Sequence, residues 1–212
     1  MTKKESGMPR ALGSVIPSSL GIRASSFRAG GAFTIVELLV VITIIIVLAG
    51  LILSTVGYVQ KKGARSRAEA EIAAISAACE SYKADNGAYP RDATNNTTDN
   101  LNARTDGSTG TTYQKASQYL YGQLAGDPDF DGGSDSQYKS YFSFKPQMLA
   151  GARDPNGNLT SVTYIRDPFG NSYGYSTAYQ HDSATGYNPT FDLWSTGGVT
   201  AGTDQSQWIK NW

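Results

Sequence analysis

Three aspartates occupy alternate positions in one short segment, Asp127-Pro128-Asp129-Phe130-Asp131-Gly132, and Asp135 follows it. Alternating carboxylates before a glycine open many calcium loops, because the carboxylates converge on one cation and the glycine permits a sharp turn. Tyr138 stands where the bidentate glutamate of such a loop belongs. The pattern therefore predicts either a calcium site at Asp127, Asp129, Asp131 and Asp135 or a solvated acidic turn.

A further carboxylate, Glu37, lies near the start of an apolar run that reads AFTIVELLVVITIIIVLAGLIL from Ala32 to Leu53. The 23 residues from Leu38 to Gln60 carry no charge, and a helix of that length can cross a bilayer. An ionised carboxylate within the hydrocarbon core is costly. Glu37 therefore either stays in the headgroup layer of an ordinary signal anchor or has a partner.

Other chemically reactive residue types are sparse. Cys79 and His181 are the only cysteine and histidine, so no intramolecular disulfide can form and His181 is a poor zinc ligand. We expect Cys79 in the core and His181 on the surface. No nucleophile elbow, zinc-protease motif or phosphate-binding loop occurs in the sequence. We therefore expect that the protein is not an enzyme.

Hydrophobic periodicity predicts one long helix that carries Glu37. Apolar and small residues recur every three or four positions from Ala64 to Tyr82, which is a single helical stripe. We expect a helix of about 50 residues, apolar all round in its first half and amphipathic in its second. Asn86-Gly87 should end it with a left-handed cap.

The remaining segments predict a small packed domain. Asp92–Thr112 is polar and predicts a flexible surface loop, whereas Thr112–Leu124 predicts a short packed helix. Four β-type runs separated by turn residues predict an antiparallel sheet. These runs are Lys139–Phe144, Ser161–Ile165, Asn171–Tyr179 and Thr190–Ser195. The expected fold class is α+β, a long helix packed on a small antiparallel sheet.

Four segments resemble one known family. Gly30–Glu37 (GGAFTIVE) resembles the class III signal of type IV pilins and type II secretion pseudopilins, which a prepilin peptidase cuts before a phenylalanine. Tyr82–Pro90 (YKADNGAYP), Asp167–Tyr173 (DPFGNSY) and Phe191–Ser195 (FDLWS) resemble the helix end, the sheet entry and the last strand of major pseudopilins. These segments are separated and occur in the family's order, and the resemblance implies a pilin-like fold.

The resemblance implies cleavage between Ala32 and Phe33, N-methylation of Phe33, and Glu37 as the fifth residue of the mature chain. Cleavage after Gly31 is the alternative; it restores the family's usual glycine but makes Glu37 the sixth residue. In an apolar filament core the free amine and the carboxylate are each costly alone. We expect Glu37 to pair with the Phe33 amine of a neighbouring subunit.

The family also has a calcium site in the loop after the last strand. Here Thr196-Gly197-Gly198-Val199 replaces the part that usually supplies the first aspartate, while Asp204 remains. The resemblance therefore implies a second possible calcium site formed by Ser195 and Asp204. Packing of Trp208 and Trp212 is the alternative means of holding this loop.

Charge predicts how the chain lies across a membrane. Residues 1–32 have a net charge of +4, and the remainder has −4. The positive-inside rule places the leader in the cytoplasm and the residues after Gln60 outside. The family resemblance implies an inner-membrane anchor with the later residues in the periplasm. The exported part is mildly acidic and has no basic stripe, so nucleic-acid binding is not expected.

These inferences divide the chain into five parts: a removed leader (1–32), a transmembrane and filament-core helix (33–60), an amphipathic helix half (61–90), a variable loop and short helix (91–145), and a sheet with a C-terminal loop (146–212). The expected function is a major-pseudopilin-like filament subunit supporting protein secretion. Expected partners are further copies, minor pseudopilins, the prepilin peptidase and an inner-membrane assembly platform. The alternatives are a type IV pilin for adhesion, motility or DNA uptake, and a membrane-anchored exported enzyme or receptor.

Overall fold

The computed structural model describes residues 33–106, 110–200, 202 and 204–212. The chain forms two compact units, Met1–Ala49 and Gly50–Trp212. The first is described from residue 33 onward and consists of helical residues apart from Phe33 and Thr34. The second contains the end of the long helix and both small sheets. The fold is α+β, as predicted from the sequence.

Helix α1 spans Ile35–Asn86. It ends where the sequence predicts, because Gly87 adopts a φ of 77° and its amide donates to the Lys83 carbonyl at 2.8 Å. A residue with a Cβ is strained in this left-handed conformation, whereas glycine adopts it freely. The Asn86-Gly87 pair is therefore the stop signal of the helix.

The second half of α1 buries the predicted stripe. Ala68, Ile75 and Cys79 are fully buried and Ile72 nearly so, in the main core of the Gly50–Trp212 unit. Strand residues such as Tyr175 and Leu193 belong to the same core. The helix is thus held to the sheets by one apolar face, as expected for an amphipathic segment.

Helix α2 spans Thr111–Ala125, close to the predicted Thr112–Leu124. It buries Tyr113, Leu120 and Leu124 and packs against the strands. The helix ends at Gly126, which adopts a φ of 72° and donates its amide to the Gly122 carbonyl. This cap leads the chain directly into the segment Asp127–Asp135, which we call the acidic loop.

The strands form two small antiparallel sheets. A short 3₁₀ turn, Pro146–Met148, leads into β1 (Leu149–Ala150), which pairs with β2 (Tyr164–Ile165) in the register Leu149↔Ile165. The second sheet has the order β3-β4-β5, formed by Gly174–Ser176, Asp192–Ser195 and Ile209–Lys210. A one-turn helix, α3 (Ala178–His181), follows β3. The runs predicted at 161–165, 171–179 and 190–195 all contain strands, shorter than predicted.

The strand predicted at Lys139–Phe144 is wrong. The amides of Tyr141 and Phe142 both donate to the Leu124 carbonyl at the end of α2, at 2.7 and 3.0 Å. Phe142 and Phe144 pack edge to face at 4.6 Å between ring centres. This aromatic segment therefore caps a helix end and fills the core without pairing in a sheet.

The segment Asp92–Thr112, predicted as a flexible surface loop, is a loop over its described residues 92–106, but part of it packs into the protein. Thr98, Leu101 and Ala103 are buried. Ser176 donates its hydroxyl to the Leu101 carbonyl at 2.5 Å, and Thr177 donates to Thr98 at 2.8 Å. The segment is polar because its side chains satisfy the backbone of a packed loop.

Candidate functional site

The first turn of α1 is closed by Thr34 and Glu37. The Thr34 amide and hydroxyl each donate to Glu37 Oε2 at 3.0 Å, and the Glu37 amide donates to Thr34 Oγ1 at 3.2 Å. This reciprocal arrangement is a capping box, with Thr34 as the N-cap. Within the described residues, Glu37 Oε1 accepts no hydrogen bond.

In the single chain, the capping box stabilises the Glu37 carboxylate. A carboxylate in the first helical turn satisfies free amides and lies at the positive end of the helix dipole. Sequence reasoning singled out Glu37 and missed Thr34, although the Thr-x-x-Glu spacing is a known capping signal. The pairing of Glu37 with a neighbouring amine stays a prediction.

The first half of α1 presents an uncovered apolar surface. From Ile35 to Leu53 the large apolar side chains are 47–84% exposed. By length and composition, this helix is long and apolar enough to cross a membrane. A contiguous apolar patch of this extent marks a surface that a membrane or another protein covers.

The predicted cleavage site lies at the beginning of the described chain. Phe33 is 82% exposed and precedes the helix. Ala32 and Gly31 lie outside the described residues.

The basic residues after the apolar run begin the amphipathic half of α1. Lys61 and Lys62 are exposed. Arg65 donates from its guanidinium to the Gln207 carbonyl at 3.1 Å and lies 3.5 Å from Glu69. Arg65 thus ties the helix to the C-terminal segment of the same unit.

The acidic loop brings three of its four predicted ligands together. Carboxylate oxygens of Asp127, Asp129 and Asp131 all lie within 4.8 Å of one another. Asp127 is fully buried, whereas the other two are exposed. Asp135 is outside this group, and its amide donates to the Gly126 carbonyl at 2.9 Å.

Asp127 holds the loop through protein donors. Its Oδ2 accepts from the Tyr121 hydroxyl at 2.6 Å and from the Gly132 amide at 2.9 Å, while Oδ1 accepts from the Asp131 amide at 3.3 Å. The hydrogen bond to Asp127, together with desolvation and the charges of Asp131 and Asp135, raises the pKa of Asp129. The loop is thus a cluster of mutually repelling carboxylates.

Calcium prefers six to eight oxygen ligands. The loop offers two exposed carboxylates and a third, Asp127, whose oxygens already serve Tyr121 and Gly132. These groups fit part of a calcium shell. Calcium binding by this loop stays a prediction.

Ser195 and Asp204, the other predicted calcium ligands, have different partners. The buried Ser195 hydroxyl donates to Asp167 Oδ2 at 2.5 Å. Asp204 accepts from the amide and the hydroxyl of Ser206 at 2.9 and 3.0 Å. Trp208 is 3% exposed and stacks on Trp194 at 5.7 Å, so tryptophan packing does hold this part of the chain, as the alternative predicted.

Asp167 is a buried acid that sequence reasoning noted only within a resembling motif. Its Oδ1 accepts from the amides of Phe169 and Asn171, at 3.0 and 2.8 Å, in addition to the bond from Ser195. Burial raises the pKa of this carboxyl, and these donors partly oppose the shift. Asp167 therefore joins the turn before β3 to the end of β4.

Cys79 and His181 lie where the sequence predicts. Cys79 is fully buried, and burial raises the pKa of its thiol, which keeps it protonated and unreactive at neutral pH. His181 is exposed at the end of α3. Neither belongs to a group of metal-ligating side chains among the described residues.

Comparison of the chain with protein-family models and with curated proteins gives no match.

Proposed function

We propose that this protein is a major-pseudopilin-like filament subunit that supports protein secretion through a type II or related type IV filament system. The observation that carries the proposal is the uncovered apolar half of α1, which begins at the Thr34–Glu37 capping box. The sequence resemblance at residues 30–37 supports the same function, because cleavage before Phe33 would place this helix at the mature N-terminus.

Assembly in this proposal replaces lipid around α1 with the helices of other subunits. Van der Waals packing between such helices covers the side chains from Ile35 to Leu53. Cleavage before Phe33 creates a charged amine four residues from Glu37. Glu37 Oε1, which has no partner among the described residues, is the oxygen available to accept from the amine of a neighbouring subunit.

The proposal also assigns locations and partners. Residues 1–32 lie in the cytoplasm, where the prepilin peptidase removes them, and α1 anchors the precursor in the inner membrane. The Gly50–Trp212 unit is then largely periplasmic and later covers the filament surface. An inner-membrane assembly platform and minor pseudopilins complete the set of partners.

Mass spectrometry of the protein purified from its native membrane tests the processing step. We expect a chain that begins at Phe33 and carries one additional methyl group. A chain that begins at Ala32 would move the cleavage site to the bond after Gly31. A chain that retains Met1 would indicate an uncut anchor and would overturn the filament proposal in favour of a membrane-anchored enzyme or receptor.

Deletion of the gene tests whether the filament serves secretion. We expect exported proteins to accumulate in the periplasm and to return to the medium when the intact gene is restored. Normal export combined with loss of surface fibres, adhesion or DNA uptake would instead identify a type IV pilin.

A further inference from the structure

A cleft on the Gly50–Trp212 unit is lined by tyrosine and amide side chains. It lies between the last turn of α1, the end of α2 and the segment 137–141, and it has a volume of about 350 Å³. Its principal side chains are those of Tyr82, Asn86, Gln123, Gln137, Tyr138 and Tyr141. Pockets of this volume accommodate small organic ligands.

Hydrogen bonds fix one wall of this cleft in place. Tyr82 and Tyr141 pack edge to face, with ring centres 5.2 Å apart. The Tyr82 hydroxyl donates to Gln123 Oε1 at 2.8 Å, and the Asn86 amide donates to the Tyr141 hydroxyl at 2.9 Å. Within the described residues the Gln123 amide nitrogen has no hydrogen-bond partner, so it is available to a ligand.

Tyr138 supplies an aromatic ring that the protein itself does not cover. Among the described residues after Val59, the exposed large hydrophobic side chains are Tyr138, at 55%, and Tyr187, at 37%. Tyr187 stacks on Trp212 at 4.7 Å, whereas the Tyr138 ring has no aromatic partner in the described structure. Tyr138, at the edge of the cleft, thus combines high exposure with the absence of an aromatic partner among the described residues.

The side chains that line the cleft carry little net charge, although the lining residue Pro128 stands between Asp127 and Asp129 of the acidic loop. Lys139 forms an ion pair with Asp85 and lies 5.1 Å above the Tyr141 ring. The other side chains that line the cleft are uncharged. This lining does not favour an anion, a nucleic acid or a metal ion, each of which needs opposing charge.

We propose that this cleft binds a neutral saccharide. A pyranose ring has an apolar face that packs on tyrosine and a rim of hydroxyl groups that donate and accept hydrogen bonds. Asn and Gln amides match that rim because each offers two donors and an acceptor. Tyr138 packs on the sugar ring, and the amides of Gln123 and Gln137 bind its hydroxyl groups. The assignment does not depend on filament assembly.

Saturation-transfer NMR tests this assignment on the full chain in a zwitterionic detergent that contains no sugar. The probes are maltotriose, cellotriose and triacetylchitotriose, each titrated to give a Kd. We expect at least one probe to bind, and Tyr138→Ala to weaken it about tenfold through loss of ring packing. Gln137→Ala should weaken it as well. Tyr58→Ala removes a tyrosine that is 71% exposed and lies outside the cleft, and should leave binding unchanged.

Three results would overturn the assignment. The first is the absence of transfer to all three saccharides. The second is binding that Tyr138→Ala and Gln137→Ala leave unaltered while circular dichroism shows both variants folded. The third is Tyr138-dependent binding of a decaproline peptide in place of the saccharides, which would identify the cleft as a peptide groove.

Discussion

Two aspartates in this protein have the same local geometry and opposite environments. The sequence Arg-Asp-Pro-x-Gly-Asn occurs at 153–158 and at 166–171. In each copy the aspartate Oδ1 accepts from the amides two and four residues later, and its own amide donates to the carbonyl of the final asparagine. The side chain of Asp154 is partly exposed and has a lowered pKa, whereas Asp167 is buried. The turn is therefore a local motif, and its burial depends on tertiary contacts.

Replacing each aspartate by alanine separates these two contributions. Asp167→Ala removes three hydrogen bonds and leaves buried donors unsatisfied, so we expect the free energy of unfolding to fall by about 2–4 kcal/mol. Asp154→Ala is the matched control and should lose less than half as much, because water replaces the lost acceptor. Urea unfolding in detergent, followed by circular dichroism, measures both. Equal losses would show that the turn alone accounts for the effect.

The pH dependence of stability tests the burial of Asp167. Because its pKa is raised above the ordinary 3.8, the folded protein binds this proton more tightly than the unfolded chain does. Its contribution to the free energy of unfolding must therefore fall as pH rises from about 4 through the raised pKa of the folded state. The stability of the wild type minus that of Asp167→Asn should decrease across this range. A difference that grows with pH would contradict the shift.

At the residue scale the sequence identified carboxylates more readily than their partners. The spacing of Asp127, Asp129 and Asp131 predicted that they converge, and they do. It did not reveal that Asp127 accepts from Tyr121 on α2, because that contact depends on where the Gly126 cap directs the chain. Asp167 was missed as a site for the same reason, since its third donor, Ser195, lies 28 residues away.

At the scale of elements, local signals predicted the helices and long-range contacts decided the rest. The end of α1 and nearly all of α2 followed from periodicity and from the glycine caps. The segments at 92–106 and 139–144 did not, because both are held by backbone bonds to distant elements. Composition suggested a solvated loop for the first and a strand for the second. Neither segment contains a local signal for those distant partners.

Substitutions in the two halves of helix α1 should have different effects on the free energy of unfolding. Ile75 is fully buried in the core, so Ile75→Ala should lower the free energy of unfolding of the Gly50–Trp212 unit by about 2–4 kcal/mol. Ile46 is 65% exposed, and Ile46→Ala should leave that stability unchanged. Urea unfolding in detergent, followed by near-ultraviolet circular dichroism, compares them. Destabilisation by Ile46→Ala would mean that the apolar half packs on the rest of the chain.

Filament assembly, if it occurs as proposed, should require the carboxylate of Glu37. Glu37→Ala removes both the carboxylate of the capping box and the proposed acceptor for the neighbouring amine, so we expect loss of filaments by electron microscopy, with subunits retained in the membrane. Glu69→Ala removes a carboxylate from the amphipathic half of the same helix and should preserve filaments. Unchanged assembly in Glu37→Ala would refute the pairing.

The acidic loop should be stabilised by removal of one charge. Asp131→Asn keeps an oxygen for the Gly133 amide, which the wild-type side chain binds at 2.8 Å, but reduces repulsion with Asp127 and Asp129. In the presence of EDTA at pH 7 we expect the Tm to rise by up to about 3 °C. Ser206→Ala leaves the acidic loop unchanged and serves as the control for changes in Tm that do not come from the charges of that loop. A lower Tm would show that the charge of Asp131 stabilises the fold.

At the scale of the whole molecule, the fold class could be predicted from the sequence and the sheet arrangement could not. A long helix and short β runs separated by turns are sufficient to predict an α+β protein. The division into two sheets depends on how β1, a two-residue strand, pairs with β2. Strands of two residues contain no period that a sequence pattern can reveal.

Charge at the same scale predicts how filaments respond to salt. The chain without residues 1–32 has a net charge of −4 from its side chains, so copies stacked in the proposed filament would repel one another. Salt screens this repulsion. Sedimentation should therefore show more assembled protein at 150 mM than at 10 mM sodium chloride. Greater assembly at 10 mM would indicate that attraction between subunits is mainly electrostatic.

All three tryptophans of the chain occur in one place. Trp194 and Trp208 are buried in the smaller of the two apolar clusters, and Trp212 packs against them. The larger cluster, which includes Ile75 and Leu193, contains none. Tryptophan fluorescence, excited selectively, therefore reports on a single neighbourhood of the Gly50–Trp212 unit. A fluorescence transition that differs from the circular dichroism transition would show that the two clusters lose their structure in separate steps.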